Sequence, residues 1–435
     1  MDKTLNPAAD PRQMRRIIAE DPEWNLATVP LLTELCLQHI VDKFEGNPVL
    51  HDLLPKHKTK VLENLSPKLP LSVTANLVQD NGYWKKCCRA RWNVCDVSLY
   101  NDNWKQMYFE RNLEEIIEKF VPGTTDPSLL EKTLKLSSDY IKSINIKQLL
   151  PPVKEPPIRD EDEDEDSGSE SGDTLSIDHF DFNVVTQALP FLRELRITYG
   201  VRDCGMNFEW NLFEFTSRDC LLLAKAIKSC DSLITFQLHQ SKVDDEKCRV
   251  LISHLLDHPT LKQLDLSHNK IGDSGARAIG KLINGRCRLE ELDLRDNKIK
   301  ALGAAAIGHG LGKNSTLAVL SLRLNRLGDE GGQAVCKALL KNTTLKELDI
   351  GSNDLGEPTA ALLSKVLAKN KVIKRLNLSC NKIGQDGGIS LQEGMEENST
   401  LTHMDLRLTE VGQECEYCIN QLIRGNVNKE HLHRK

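Results

Sequence analysis

From Leu261 onward, apolar residues fall at fixed intervals between polar ones. Leu261, Leu264, Leu266 and Ile271, with Asn269 just before the last, form a word that begins again at Leu289, Leu317, Leu345 and Ile373, a step of 28 residues. One step earlier, Leu233, Phe236, Leu238 and Val243 keep the apolar frame with Ser241 in place of asparagine. One step later, Leu401, Met404, Leu406 and Val411 keep it with Thr409. Inside each word, a pair such as Leu264 and Leu266 has the period of a strand, so both leucines face one side and Asp265 the other. Gly275, Ala276, Ile279 and Ile283, then Gly303, Ala304, Ile307 and Leu311, follow at helical spacing. Strand, turn and helix thus recur as one unit.

A 28-residue word of this form is a leucine-rich repeat of the long, helix-bearing kind. It predicts an α/β fold: a ribonuclease-inhibitor-like horseshoe with a parallel sheet inside and helices outside, each repeat buried only by its neighbours. Asn269, Asn297, Asn325, Asn353 and Asn381 sit where the chain leaves each strand, and a buried amide there satisfies backbone groups that the turn leaves unpaired. A second column, Asn314, Asn342, Asn370, Asn398 and Asn426, falls where each helix ends and is expected to hold the left-handed cap conformation. The sequons at Asn314, Asn342 and Asn398 therefore read as caps followed by Ser or Thr.

Ahead of the ladder the pattern changes. Residues 1–24 read as a flexible N-terminus and 25–150 as a small all-α module, F-box-like in its Leu-Pro and Trp-Lys words. Its helices are stopped by prolines, and a last one is expected from Leu129 to Ile144. Residues 151–174 form a Pro-rich and acidic linker with seven consecutive carboxylates, Asp160 to Asp166. Such a run repels itself and buries nothing. Ser167, Ser169 and Ser171 stand among acids, the setting of an acidophilic kinase site. The repeat domain is assigned to 175–427, with a capping helix through Val184 and Val185, a first strand through Leu195 and Ile197, and a polar tail at 428–435. The step from Leu192 to Leu233 exceeds the period by 13 residues, around Gly205 to Asn211. Phe208 and Trp210 make that insertion a candidate docking loop, or else a cap for the end of the core.

A net charge of −6 and a pI near 6.1 give no global pull toward nucleic acid or an anionic membrane. No stretch approaches the roughly 20 apolar residues that span a bilayer. The segment Met1 to Arg16 lacks the apolar core of a signal peptide, so an intracellular protein is expected, and 13 cysteines without a framework fit reduced thiols. Cys415 and Cys418 form a lone C-x-x-C. Cys87, Cys88 and Cys95 among Lys85, Lys86, Arg89 and Arg91 read as packing thiols beside a solvated basic face. No phosphate loop, H-E-x-x-H or assembled nucleophile and base is present, so neither an enzyme nor a cofactor or metal is expected.

What the repeats offer is surface. The outward strand positions put Asp265, Asp293, Asp349 and Asp405 in a middle acidic column, flanked by Arg295, Arg323 and Arg407 on one side and Glu291, Glu347 and Arg375 on the other. Adjacent columns of opposite charge on the concave face register a protein partner with the complementary pattern.

The words Asp21-Pro22-Glu23-Trp24, Leu32-Thr33-Glu34-Leu35-Cys36, Tyr83-Trp84-Lys85-Lys86-Cys87 and Trp104-Lys105-Gln106-Met107-Tyr108-Phe109-Glu110-Arg111, together with the ladder, resemble the leucine-rich-repeat subunits of the axonemal nexin-dynein regulatory complex. The resemblance implies a non-catalytic scaffold in the cytoskeleton of the cilium and flagellum, linking outer doublet microtubules. It also implies hetero-oligomeric assembly with other subunits of that complex and with axonemal proteins. Two other readings stay open. The F-box-like words followed by repeats are the layout of a ubiquitin-ligase substrate receptor, although Cys87-Cys88-Arg89-Ala90-Arg91-Trp92 only approximates the ending of that motif. Repeats with an acidic segment also occur in GTPase-activating proteins, but there the acids follow the repeats.

Overall fold

A computed structural model describes residues 15–16, 28–29, 31–152 and 178–433. The acidic run and its serines, and most of residues 1–24, lie outside the described residues. β1 (Arg15–Arg16) pairs antiparallel with β2 (Thr28–Val29). The chain divides into two compact units, residues 1–112 with 135–140, and residues 113–134 with 141–435. Helices α1 (Leu32–Asp42), α2 (Pro55–Asn64), α3 (Leu71–Leu77) and α4 (Asn81–Arg91) belong to the first. The division runs through α5 (Trp104–Glu118) and α6 (Ser128–Ser137).

The first unit is built on aromatic residues. Trp84 is fully buried, its indole N–H donates to the Val78 carbonyl at 2.9 Å, and the rings of Tyr108 and Phe109 lie 5.2 Å away. Pro55 opens α2, where a missing N–H costs nothing, and the Asp80 carboxylate caps α4 by accepting from the Tyr83 N–H at 2.7 Å. Cys87 and Cys88 are buried, and burial pushes the Cys88 thiol up to about 12, which leaves it an inert packing group. Lys85 and Arg89 lie over the Trp104 ring, at 5.5 and 5.9 Å from its centre. The basic cluster is thus held by aromatic faces.

The second unit is a nine-stranded parallel sheet with helices packed along one side. Its strands are β3 (Ser143–Ile146), β4 (Glu194–Ile197), β5 (Thr235–Leu238), β6 (Gln263–Asp265), β7 (Glu291–Asp293), β8 (Val319–Ser321), β9 (Glu347–Asp349), β10 (Arg375–Asn377) and β11 (His403–Asp405), in spatial order equal to chain order. The helices are α7 (Asn183–Ala188), α8 (Ser217–Lys228), α9 (Asp245–Leu255), α10 (Asp273–Asn284), α11 (Ala301–Leu311), α12 (Gly328–Leu339), α13 (Glu357–Lys369), α14 (Gly384–Glu396) and α15 (Gln413–His433). The middle steps of the ladder pair leucine with leucine: Leu264 with Leu292, Leu292 with Leu320, Leu320 with Leu348. These leucines are at most 2% exposed. Truncating one to alanine costs about 2–5 kcal/mol, the range for buried aliphatics.

Three expectations are corrected. The helix drawn to Ile144 stops at Ser137, and Ile144 and Ile146 are inward rungs of β3, which pairs with β4 through Ile144 and Leu195. Alternation of Ser143, Ile144, Asn145 and Ile146 is a strand pattern, but the long excursion before β4 hides the period. The sheet therefore begins inside the segment assigned to the helical module, ahead of the boundary at 175. At the other end α15 runs to His433, past the boundary at 427.

The third correction concerns the helix-end asparagines. None of them has a positive φ; Asn370, for example, sits at −74°. Their side chains do the work instead. The Asn314 amide donates to the Ile283 carbonyl at 2.8 Å, while its oxygen accepts from the Thr316 and Leu317 N–H groups. Asn342 and Asn398 repeat the arrangement, and all three sequon asparagines are buried. The left-handed residues form a different column at the same step: Gln240, His268, Asp296, Leu324, Ser352, Cys380 and Leu408, with φ between 49° and 58°. Each lies one residue before a ladder position.

The ladder asparagines hold that turn. The Asn269 oxygen accepts from the Ser241 and Val243 N–H groups at 3.0 and 3.1 Å, and its amide donates to the carbonyls of Leu238, Leu266 and Ser267. Asn297 and Asn381 do the same for their neighbours. Each repeat thus satisfies groups of the one before. The outer side has a matching device: Asp245 accepts from the Gly272 and Gly275 N–H groups, Asp273 from those of Lys300 and Gly303, and Asp329 from those of Gly356 and Thr359. A carboxylate in one helix caps the start of the next. Glycine lets these helices approach: a Cβ on Gly310 would come within 2.5 Å of the Gly280 carbonyl oxygen.

His258 occupies the helix-end column two repeats ahead of Asn314 and copies its bonding. Its Nδ1 accepts from Thr260 and Leu261 N–H groups at 3.4 and 3.2 Å, and Nε2 faces the Ile227 carbonyl at 3.3 Å. That pattern requires the neutral ring protonated at Nε2. Burial lowers its pKa below the ordinary 6.5. The unfolded chain then binds the extra proton first, so this contribution to stability is full above pH 6.5 and is lost as the pH falls from there through the folded value. His258→Asn supplies the amide used elsewhere in the column. Its thermal midpoint is expected to drop less than that of the parent between about pH 7.5 and about pH 5.5. His239, also lowered by burial and by His268, keeps the remaining slope. Equal slopes in the two proteins would show that His258 does not carry the effect.

Candidate partner-binding face

The sheet face away from the helices carries the columns read from the sequence. Strand register sets Gln237 beside Asp265, Asp265 beside Asp293, Asp293 beside Ser321, Ser321 beside Asp349, Asp349 beside Asn377 and Asn377 beside Asp405. The row continues through Arg196 and Asn145 on β4 and β3, which the period did not reveal. The side chains lie half-buried or exposed along shallow depressions, one of about 300 Å³ between Asp293 and Asp405.

The acids are only partly free to meet a partner. One carboxylate oxygen of each accepts the backbone N–H two residues on: Ser267 to Asp265 at 2.9 Å, Arg295 to Asp293 at 2.9 Å, Gly351 to Asp349 at 3.0 Å and Arg407 to Asp405 at 3.1 Å. Asn377 accepts from Ser379 in the same way. The acidic column therefore has a structural duty, tying down the strand exit as a turn residue does. Asx-type spacing is visible in the sequence once the exit is known.

The arginines divide. Arg295 clasps Asp293 on its own strand, Nε to Oδ2 at 2.8 Å and Nη2 to the same oxygen. Arg407 clasps Asp405, Nε to Oδ1 at 2.9 Å and Nη2 to Oδ2 at 2.6 Å. The Arg407 guanidinium holds the Asp405 carboxyl below the ordinary carboxylate range. Arg375 reaches Glu347 across the strand gap at 3.5 Å. Opposite charges in adjacent columns are thus largely spent on one another. Asp265, Glu291 and Asp349 make no ion pair among the described residues, so the middle of the face is left acidic, and Arg323 makes none either.

In the insertion, short 3₁₀ turns span Gly205–Asn207 and Trp210–Phe213. The Phe208 ring lies 5.5 Å from that of Phe213, and Phe208 remains 48% exposed. The Trp210 side chain lies outside the described part. Phe213 covers Gly200, so the insertion folds back on the second unit through one ring and presents another.

Replacing Asp293 by Ala frees the Arg295 N–H and is expected to cost about 1 kcal/mol. Asp293→Asn keeps an oxygen for that N–H while releasing the Arg295 guanidinium, and is expected to lie closer to the parent. Urea unfolding midpoints compare them. Equal midpoints for the two variants would mean the turn bond contributes nothing.

Compared with known proteins, five stretches match the family model described as Leucine Rich repeat: residues 257–280, 287–308, 313–336, 341–358 and 369–391. With the register above, the second unit is a leucine-rich-repeat α/β horseshoe. The chain is 52% identical over 260 residues, 60% of its length and 52% of the relative's, to a human protein named Dynein regulatory complex subunit 5. It is 54% identical over 254 residues to the mouse protein of that name, covering 58% of this chain and 51% of that one. To the Chlamydomonas reinhardtii protein of that name it is 32% identical over 220 residues, 50% of each chain. Over these stretches the chain is homologous to those proteins. It spans about half the length of the curated relatives it matches.

Proposed function

We propose that this chain is a non-catalytic structural subunit of a dynein regulatory complex, linking outer doublet microtubules of the axoneme and tuning ciliary and flagellar bending through contacts of its repeats. The observation that carries the reading is the extent of identity, 52% over 260 residues, with a protein named as subunit 5 of that complex. The physics of the second unit agrees with it. Inward leucines and shared asparagines make a stiff support, and the strand positions that the internal bracing leaves without an ion pair remain for attachment. Its partners are other subunits of the complex and axonemal proteins. The acidic middle of the sheet face, Asp265, Glu291 and Asp349, favours a partner segment rich in Lys or Arg, which it would steer and register more than it would tighten.

The test is retention. In ciliated cells lacking the related subunit, the tagged full chain is expected to stay on salt-washed axonemes. A Glu291→Lys, Asp349→Lys variant is expected to wash off while melting within a few degrees of the parent. Extraction of the parent chain with soluble protein, or its recovery with the adaptor and cullin core of a ubiquitin ligase, would sink the proposal.

A further inference from the structure

One rim of the same sheet face carries groups that the scaffold does not use. The turns leaving β8, β9, β10 and β11 put Arg323, Gly351, Ser379 and Arg407 in a row, each carbonyl accepting an N–H from the turn before. Adjacent turns of a sheet lie about 4.8 Å apart. Arg323 stands apart from Arg295, Arg375 and Arg407: among the described residues its guanidinium has no ion pair, and its Nε is enclosed without a hydrogen-bond partner. Two turns on, Ser379 is 3% exposed and its hydroxyl also lacks a partner. Between them stands Gly351, packed so closely that a Cβ there would come within 3.1 Å of the Ser379 Oγ. Arg323 and Ser379 line one pocket of about 630 Å³.

An enclosed guanidinium N–H and a buried hydroxyl both donate, so an acceptor is missing, and the cost of leaving such groups unpaired is recovered when one arrives. We propose that this pocket binds an Asp or Glu carboxylate presented by a protein partner, an inference that rests on the attachment role just described. The charge count favours a single negative charge. Arg407 is already neutralised by Asp405, leaving Arg323 as the one uncompensated cation in the lining. Glu410 and Glu416 line the pocket too, which opposes a phosphate dianion and assigns the anion to the Arg323 end. Leu406 and Leu408 supply an aliphatic wall, and Leu408 is 80% exposed. The fitting segment therefore carries its acid beside an aliphatic residue. Bidentate recognition of a planar carboxylate is what a free guanidinium provides.

The experiment uses the full chain and three blocked tripeptides, Leu-Glu-Leu, Leu-Gln-Leu and Leu-phosphoserine-Leu, titrated by NMR with arginine Nε–H groups observed and Arg323 assigned through Arg323→Lys. The glutamate peptide is expected to shift the Arg323 signal and the glutamine peptide to leave it in place. Peptide-observed affinity is expected to fall at least about ten-fold in Arg323→Gln, the loss of one charge-assisted contact. Ser379→Ala, which removes the second donor, is expected to weaken binding as well, with circular dichroism melts confirming that both variants fold. Absence of binding by the glutamate peptide, equal binding by the glutamine peptide, an unchanged affinity in Arg323→Gln, or tighter binding of the phosphoserine peptide would each overturn the proposal. The titration needs no axoneme, so its failure leaves the scaffold role standing. Failed retention on axonemes would leave the pocket's chemistry intact.

Discussion

The structure depends on a backbone that no single repeat can satisfy. Where the chain leaves each strand from β5 to β11 it passes through a left-handed residue, and at Leu324 and Leu408 that residue is leucine, a side chain ill suited to φ near 57°. The turn persists because a buried asparagine amide takes up N–H and carbonyl groups on both sides of the junction between repeats, as Asn325 does for Ile299, Leu294 and Leu322. Removing the amide leaves several groups unpaired in a close-packed interior, at about 1–3 kcal/mol each. Ser241 and Thr409 mark where the system thins at the ends. The Ser241 hydroxyl still accepts from the Tyr199 N–H, but the Thr409 hydroxyl turns back to the carbonyl of its own strand exit, Leu406. Cooperativity along the sheet follows from this sharing as much as from leucine packing.

Much of this was legible in the chain because the period is long and regular. Strand positions, the inward leucines, the asparagine ladder and the acidic row could be read from spacing alone, since a parallel sheet with one repeat per strand turns sequence steps into spatial neighbours. What escaped reading had no periodic trace or had a substituted one. β3 lies beyond a long interruption, so its two isoleucines carry no register. His258 stands in a column of asparagines, and only its bonding reveals the equivalence. The left-handed column holds Gln, His, Asp, Leu, Ser and Cys, so composition gives no cue. Asn314, Asn342, Asn370 and Asn398 do follow the ends of their helices, whereas Asn426 lies inside α15, and their duty differs from the expected one, because a side chain that bridges repeats and a backbone that caps a helix favour the same residue.

The exposed face follows the same logic of double use. Its aspartates tie down the strand exits, and two of its arginines are held by those aspartates, so a charge pattern that looks like a binding code is partly internal bracing. The charged groups on this face that no ion pair holds among the described residues are few: Asp265, Glu291 and Asp349 in the middle, and Arg323 at the rim beside a buried hydroxyl. Bracing of this kind ties the charged groups of one strand exit to the backbone and side chains of the same or the next repeat.

The most direct test of the shared-amide account is hydrogen exchange in Asn325→Ala. The Ile299 N–H, bonded to the Asn325 oxygen at 3.1 Å, is expected to lose its protection, while the Val243 N–H, held by Asn269 two junctions away, stays protected relative to it. An Ile299 N–H that exchanges as slowly in the variant as in the parent would contradict the claim that neighbouring repeats are joined through these side chains.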